Sequence, residues 1–173
     1  LIYQNEMGMG HLVDDEESFG RNLREEMAIA GAGRFPSPEM IGNRLCRVHL
    51  AALDTALAPQ TLARLCVLGA KQHQGGERRL RQKLAALVKL GAEGWAPYPA
   101  GALETCVKDY LAQAAKEGRC PQPRHSKRFV ALYRPHYRVM PWDMALFLPV
   151  FAAIDRALAQ RPHVLVGVDG MSG

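Results

Sequence analysis

The amino-acid sequence predicts a mainly α protein, an irregular helical domain of about six helices with few short strands. Three observations carry this expectation. Apolar residues recur at helical spacing in several separate segments, most regularly between Glu77 and Leu90. Only short stretches alternate apolar and polar residues as a half-buried strand does. The 173 residues are 48% hydrophobic and 23% charged, an ordinary globular balance that suits one domain, or one domain and the edge of another. A chain of this size buries roughly two thirds of its unfolded surface, so it can build a core without disulfides or metals.

The chain opens with the apolar triplet Leu1-Ile2-Tyr3 and a polar, glycine-bearing turn from Asn5 to His11. Asp14 to Met27 reads as a helix. Its first acids complement the helix dipole, Asp14 and Glu17 form a capping box, and Phe19, Leu23 and Met27 make one stripe. Ala28 to Pro38, with two glycines and two prolines, is a loop. Glu39 to Leu57 carries two signals. Cys46, Val48 and Leu50 alternate with Arg47 and His49 as a strand would, while Leu50, Leu53 and Leu57 fit a helix, which we expect over the second half.

Pro59 starts a helix with Leu62, Leu65, Cys66 and Leu68 at helical spacing. Glu77 to Leu90 follows with the stripe Leu80, Leu84, Leu87 and Val88, and Gly91 as its stop. Another helix runs from Pro99 to Gly118, and a proline-bearing linker from Arg119 to Ser126. Pro135 separates a helical start at Phe129, Leu132 and Tyr133 from an extended end at residues 137–140, because the residue before a proline is driven out of the helical region. Asp143 caps a last helix to Gln160, kinked at Pro149. Val164-Leu165-Val166-Gly167-Val168 is a continuous apolar run, as a strand buried on both faces would be. The expected organisation is a helical domain over 1–140, then 141–173 as a helix and strand leading into a further domain.

Composition narrows the class. Cys46, Cys66, Cys106 and Cys120 contain no C-x-x-C pair, which argues against a zinc ribbon or a thioredoxin-type site and for reduced thiols in a cytoplasmic protein. No structural disulfide and no intrinsic metal are expected. No stretch approaches the roughly 20 apolar residues of a membrane span. Gln4, Asn5, Glu6 and His11 stand where a signal peptide would need an apolar core. Leu1 in place of methionine implies that a few leading residues precede this sequence. The net charge of +5 permits a polyanionic partner without requiring one.

The residues after the apolar run are the most informative. A buried parallel strand entering a glycine-rich turn is how a P-loop begins, because backbone N–H groups must approach phosphates closely. Val164 to Gly173 resembles the opening of the Walker A region in uridine kinase-like and related nucleoside or nucleotide kinases: apolar strand, Asp-Gly, a small pair, then Gly-Ser-Gly-Lys-Thr or Ser. On that match Gly170, Met171, Ser172 and Gly173 form the first part of the phosphate loop, and its lysine and magnesium-holding hydroxyl lie beyond Gly173. A second resemblance rests on Asn5, Glu6, Gly8, Gly10, His11 and Leu12, and on His125, Ser126, Phe129, Tyr133, Pro135, Tyr137, Arg138 and Val139. It is to bacterial proteins in which a helical N-terminal region precedes a uridine kinase-like P-loop domain, and it implies an architecture but no mechanism for that region.

Three further sets are candidates on chemistry alone. His125, Arg134, His136 and Arg138, interleaved with Tyr133 and Tyr137, have the forks and rings to hold an anion or a base. Asn5, Glu6 and His11 beside two glycines make a candidate ligand turn with a general base. Arg78, Arg79, Arg81, Lys83 and Lys89 give one helix a basic face.

These readings lead to an expectation: the N-terminal part of an ATP-dependent P-loop phosphotransferase, of uridine or nucleoside kinase type. The segment itself would be inactive and hold no cofactor. The full-length protein would use ATP and magnesium on a small hydroxyl-bearing acceptor. The alternative is a non-enzymatic helical module that binds nucleic acid or a protein partner through the basic face.

Overall fold

The computed structural model describes residues 1–10, 13, 15–30, 38–73, 75–95, 97–123, 125–133 and 135–170. Among them are eight α-helices and one antiparallel sheet: α1 (Ile2–Met7), α2 (Glu16–Ile29), β1 (Glu39–Gly42), β2 (Leu45–His49), α3 (Pro59–Gln72), α4 (Glu77–Ala92), α5 (Ala100–Glu117), α6 (Lys127–Tyr133), β3 (Tyr137–Pro141), α7 (Trp142–Leu146) and α8 (Leu148–Leu158). The mainly α expectation with few short strands matches this architecture.

The sheet has the order β1-β2-β3. The β2–β3 ladder runs unbroken from Leu45 opposite Pro141 to His49 opposite Tyr137. β1 and β2 are joined by the two-residue turn Asn43-Arg44, both at positive φ (52° and 57°), the geometry whose twist matches a hairpin. Asparagine tolerates that conformation readily, whereas an arginine there is strained. The alternation of Cys46 and Val48 therefore marks a real strand. The helix expected after it is only a short 3-10 turn over Leu50–Ala52, since Leu57 reaches the core without one.

Two clusters hold the fold. The main one packs Phe19 and Leu23 of α2, Leu62 and Cys66 of α3, Cys46, Val48, Val139 and Met140 of the sheet, and Ala145, Leu148 and Ala152 of α7 and α8. The second joins Tyr3 of α1, Leu80 of α4, Ala114 of α5 and Cys120. Fully buried leucines such as Leu23, Leu62 and Leu80 each contribute roughly 1.5–3 kcal/mol through removal from water.

Helix ends show local chemistry. Asp15, not Asp14, caps α2, accepting the Ser18 N–H at 2.7 Å. Asp14 lies outside the described residues, and Glu17 instead pairs with Arg21 at 2.9 Å. The α3 N-terminus has no cap of its own. Asp155 of α8 supplies one, accepting from Ala58 N at 2.8 Å and Thr61 Oγ1 at 3.0 Å. Gly91, expected to stop α4, lies inside it, because its missing Cβ admits Leu103 of α5. Gly118 does end α5, in the left-handed conformation.

Two further expectations need correction. Pro149 does not kink one long helix: the helix breaks at Phe147, and Pro149 sits in the first turn of α8, where its missing N–H costs nothing. Asp143 is correspondingly in the first turn of α7, after Pro141 as its cap. The run Val164–Val168 forms no strand. A strand exists only through pairing, and no strand among the described residues lies beside this one; Leu165 and Val168 are fully exposed.

All four cysteines are free, with Cys46, Cys66 and Cys120 buried and Cys106 exposed on α5. Burial pushes the Cys46 thiol up to about 11 and the Cys66 thiol up to about 12. Since the thiolate is the reactive form, a thiol reagent at mildly alkaline pH should label Cys106 rapidly in the native protein and the other three only on unfolding. Mass spectrometry of the labelled protein checks this; two thiols labelled at equal rates would contradict it.

Candidate functional site

The sequence-selected residues gather around α1 in two adjoining networks. In the first, α1 turns Asn5 and Glu6 inward, and Glu6 is fully buried. Glu6 Oε1 lies 2.5 Å from Lys83 Nζ of α4 and accepts Asn43 Nδ2 from the hairpin turn at 2.9 Å. The Glu6 carbonyl meets His73 Nε2 at 2.8 Å. Asn5 donates to Ile41 O at 2.6 Å, and its Oδ1 accepts from Lys83 Nζ. The two side chains proposed as a ligand turn thus tie α1 to the hairpin and to α4. Glu6 Oε2 is buried without a hydrogen-bond partner among the described residues. His11 lies outside the described residues.

The second network is built by β3. Arg138 grips Glu26 of α2 with two parallel bonds, Nη1 to Oε2 at 2.9 Å and Nη2 to Oε1 at 3.0 Å, while Nη1 also donates to Tyr137 O at 3.0 Å. His136 Nδ1 lies 3.6 Å from Glu26 Oε2. The Arg138 guanidinium stands 5.5 Å from the centre of the Phe19 ring. Tyr137 has other partners: its hydroxyl accepts from Gln4 Nε2 at 2.8 Å and lies 3.1 Å from His125 Nε2, and Arg47 stacks over its ring at 4.8 Å. His125 also stacks on Phe129 at 4.6 Å. The structure therefore separates the set. His136 and Arg138 meet at Glu26, whereas His125 joins an aromatic row, and Arg134 lies outside the described residues.

Burial raises the Glu26 carboxyl, but the hydrogen bonds and charge of Arg138, with those of His136, outweigh it and hold the group below its ordinary value of 4.5. A depressed carboxyl stabilises the fold fully above that ordinary value, and the contribution is lost as pH falls through the folded-state value. Wild-type stability should therefore decline below about pH 4.5, and Glu26→Gln should show a shallower acid decline with lower stability near neutral pH. Urea midpoints measured across that range decide it; parallel curves would contradict the assignment.

A cavity of about 220 Å³ adjoins the second network, lined by Tyr3, Gln4, Met9, Phe19, Glu26 and Arg138 among others. Sequence reasoning missed Glu26, Asn43, His73 and Lys83 as partners. Lys83 appeared only as part of a basic face. That face is largely paired within the chain: Lys83 with Glu6, Arg81 with Glu77 at 3.6 Å, and Lys89 with Glu93 at 3.8 Å. No group of three or more metal-ligating side chains occurs among the described residues. Gly170 stands in open space, and Met171, Ser172 and Gly173 lie outside the described residues. No described helix is long and apolar enough to cross a membrane. Comparison with protein-family models, curated proteins and solved structures finds no match to this chain.

Proposed function

We propose that this chain is the helical N-terminal region of a cytoplasmic, ATP-dependent P-loop phosphotransferase of uridine or nucleoside kinase type, whose phosphate loop begins at Gly170. The observation that carries the reading is the segment Val164–Gly170. Among its apolar, mostly β-branched residues Leu165, Val166 and Val168 are exposed, and none pairs with a strand of the described residues, directly before Asp169-Gly170. Burying side chains of this kind returns roughly 1.5–3 kcal/mol each, so the run gains by entering a sheet that the helical body does not contain. At Gly170 no described residue other than its chain neighbour places a heavy atom within 4 Å of where a Cβ would be.

In such an enzyme magnesium-bound ATP supplies the γ-phosphoryl group, a hydroxyl oxygen of the acceptor bonds to its phosphorus, and ADP leaves. The part assigned to this chain is the segment that would aim the loop; α8, which ends at Leu158, joins that segment to the helical core through Leu148 and Ala152. The reading frame after the Gly173 codon tests this directly. A glycine followed by Lys-Ser or Lys-Thr within the next few codons is expected. A stop codon, or a continuation without lysine, overturns it.

A further inference from the structure

Helix α6 differs from the other helices in that none of its residues is buried. A helix of seven residues is marginal in water and normally holds its shape by packing an apolar face. Here Val130, Leu132 and Tyr133 are exposed instead, Tyr133 to 66%. Local contacts set the geometry. Ser126 Oγ accepts the Phe129 N–H at 3.1 Å, and His125 Nε2 lies 3.1 Å from the Tyr137 hydroxyl of β3. The spacing of four residues brings Phe129 under Tyr133, and His125 stacks beneath both. The rings form a column, with centres 4.6 Å apart at 22° and then 4.8 Å apart at 26°. Tyr137 anchors its lower end, and Tyr133 stands at its outer end.

The surrounding sequence carries one sign of charge. From Arg119 to Pro141 it holds no aspartate or glutamate, but it does hold Arg119, Arg124, Lys127, Arg128, Arg134 and Arg138. Of these, only Arg138 has a carboxylate partner among the described residues, Glu26. Lys127 and Arg128 are exposed on α6 itself, and Arg128, four residues before Leu132, flanks the column. Exposed rings beside cations without carboxylate partners match single-stranded nucleic acid on both counts. Its unpaired bases stack on aromatic rings whatever their sequence, and its phosphates draw lysine and arginine. An acidic protein would satisfy the charge without using the ring faces, and in a duplex the bases are already stacked on one another. We propose that α6 and its ring column bind single-stranded nucleic acid, with a base stacked on Tyr133 and the adjoining phosphates held by Lys127 and Arg128. The surface does not depend on the phosphate loop at Gly170.

Fluorescence anisotropy of the 173-residue protein with labelled oligothymidylate, and with an abasic strand of equal length, tests this. The two probes share their phosphates and differ only in the bases. Oligothymidylate is expected to bind at low salt with a Kd of about 10–100 μM, inside the non-specific range. It should bind at least about fivefold more tightly than the abasic strand, the lower bound for one stacked base. Tyr133→Ala should remove that preference and leave the abasic strand unaffected. Lys127→Glu with Arg128→Glu should weaken both strands. All three side chains are exposed, so these variants should fold, and the comparison of the two strands on the wild type needs no variant. No binding of oligothymidylate, equal affinity for the two strands, or a preference unchanged in Tyr133→Ala would each overturn the proposal. Binding to phosphatidylserine vesicles in place of the oligonucleotide would overturn it too, and would make α6 a membrane-surface helix.

Discussion

Gly75→Ala should lower the melting temperature by about 10 °C and loosen α1 from the rest of the molecule. A Cβ on Gly75 would overlap the Glu6 carbonyl oxygen and lie 2.5 Å from both Glu6 C and His73 Nε2. The nearest atoms are backbone, so no side-chain rotation relieves the overlap. Overpacking of this kind costs about 3 kcal/mol at the upper end of its usual range, and for a domain of this length each 1 kcal/mol is worth about 2–4 °C. The cheapest relief is displacement of α1, which would also break the bonds from Glu6 to Asn43, His73 and Lys83. Gly76 provides the control: no described residue beyond its chain neighbours lies within 4 Å of its Cβ position, and Gly76→Ala should cost no more than about 1 kcal/mol as a helix-cap change. Thermal melts with amide exchange over residues 2–7 measure both; a Gly75→Ala protein that melts within a few degrees of wild type would contradict the packing described here.

Lys83→Met should destabilise by about 2–3 kcal/mol. Removing one member of a buried ion pair leaves the other desolvated, which usually costs about 3–5 kcal/mol. The lower figure applies because Lys83 is 42% exposed and Asn43 still donates to Glu6 Oε1. Methionine keeps the aliphatic stem, so the loss reports the charge and not the packing. In a Glu6→Gln background the same substitution should cost much less, since no buried carboxylate remains to be abandoned. Urea denaturation of the four proteins forms the cycle. Equal costs in the two backgrounds would show that Lys83 and Glu6 are not coupled.

Helices α2 to α5 were legible because each is specified by neighbours in sequence, whereas α1 was read as an apolar triplet and a polar turn. The stripe of Leu80 and Leu84 and the left-handed Gly118 mark α4 and α5 without reference to anything distant. The hairpin was half legible: Cys46 and Val48 alternate visibly, and an asparagine after Gly42 is a hairpin signal, yet the strand's partner Met140 is 94 residues from Cys46. The break at Phe147 needed Pro149 to be read as a beginning instead of a defect. Site residues behaved likewise. Glu6 and Arg138 stood out by type, but what they do depends on Lys83 and on Glu26, 112 residues from Arg138. No local pattern encodes pairings of that span. The Val164–Val168 run illustrates the converse: its composition states a strand, but pairing is a property of neighbours that the described residues do not supply.

Magnesium-ATP titration of the full-length protein beside residues 1–173 tests the central claim, that a phosphate loop begins at Gly170. In a complete loop a lysine reaches the β- and γ-phosphates and a hydroxyl residue holds the metal. Residues 1–173 offer no cationic side chain at Gly170 or after it. Calorimetry should therefore show binding by the full-length protein and binding at least tenfold weaker, or none, by residues 1–173. Equal affinity would place the nucleotide site in the helical region, and no binding by either would remove the phosphotransferase reading.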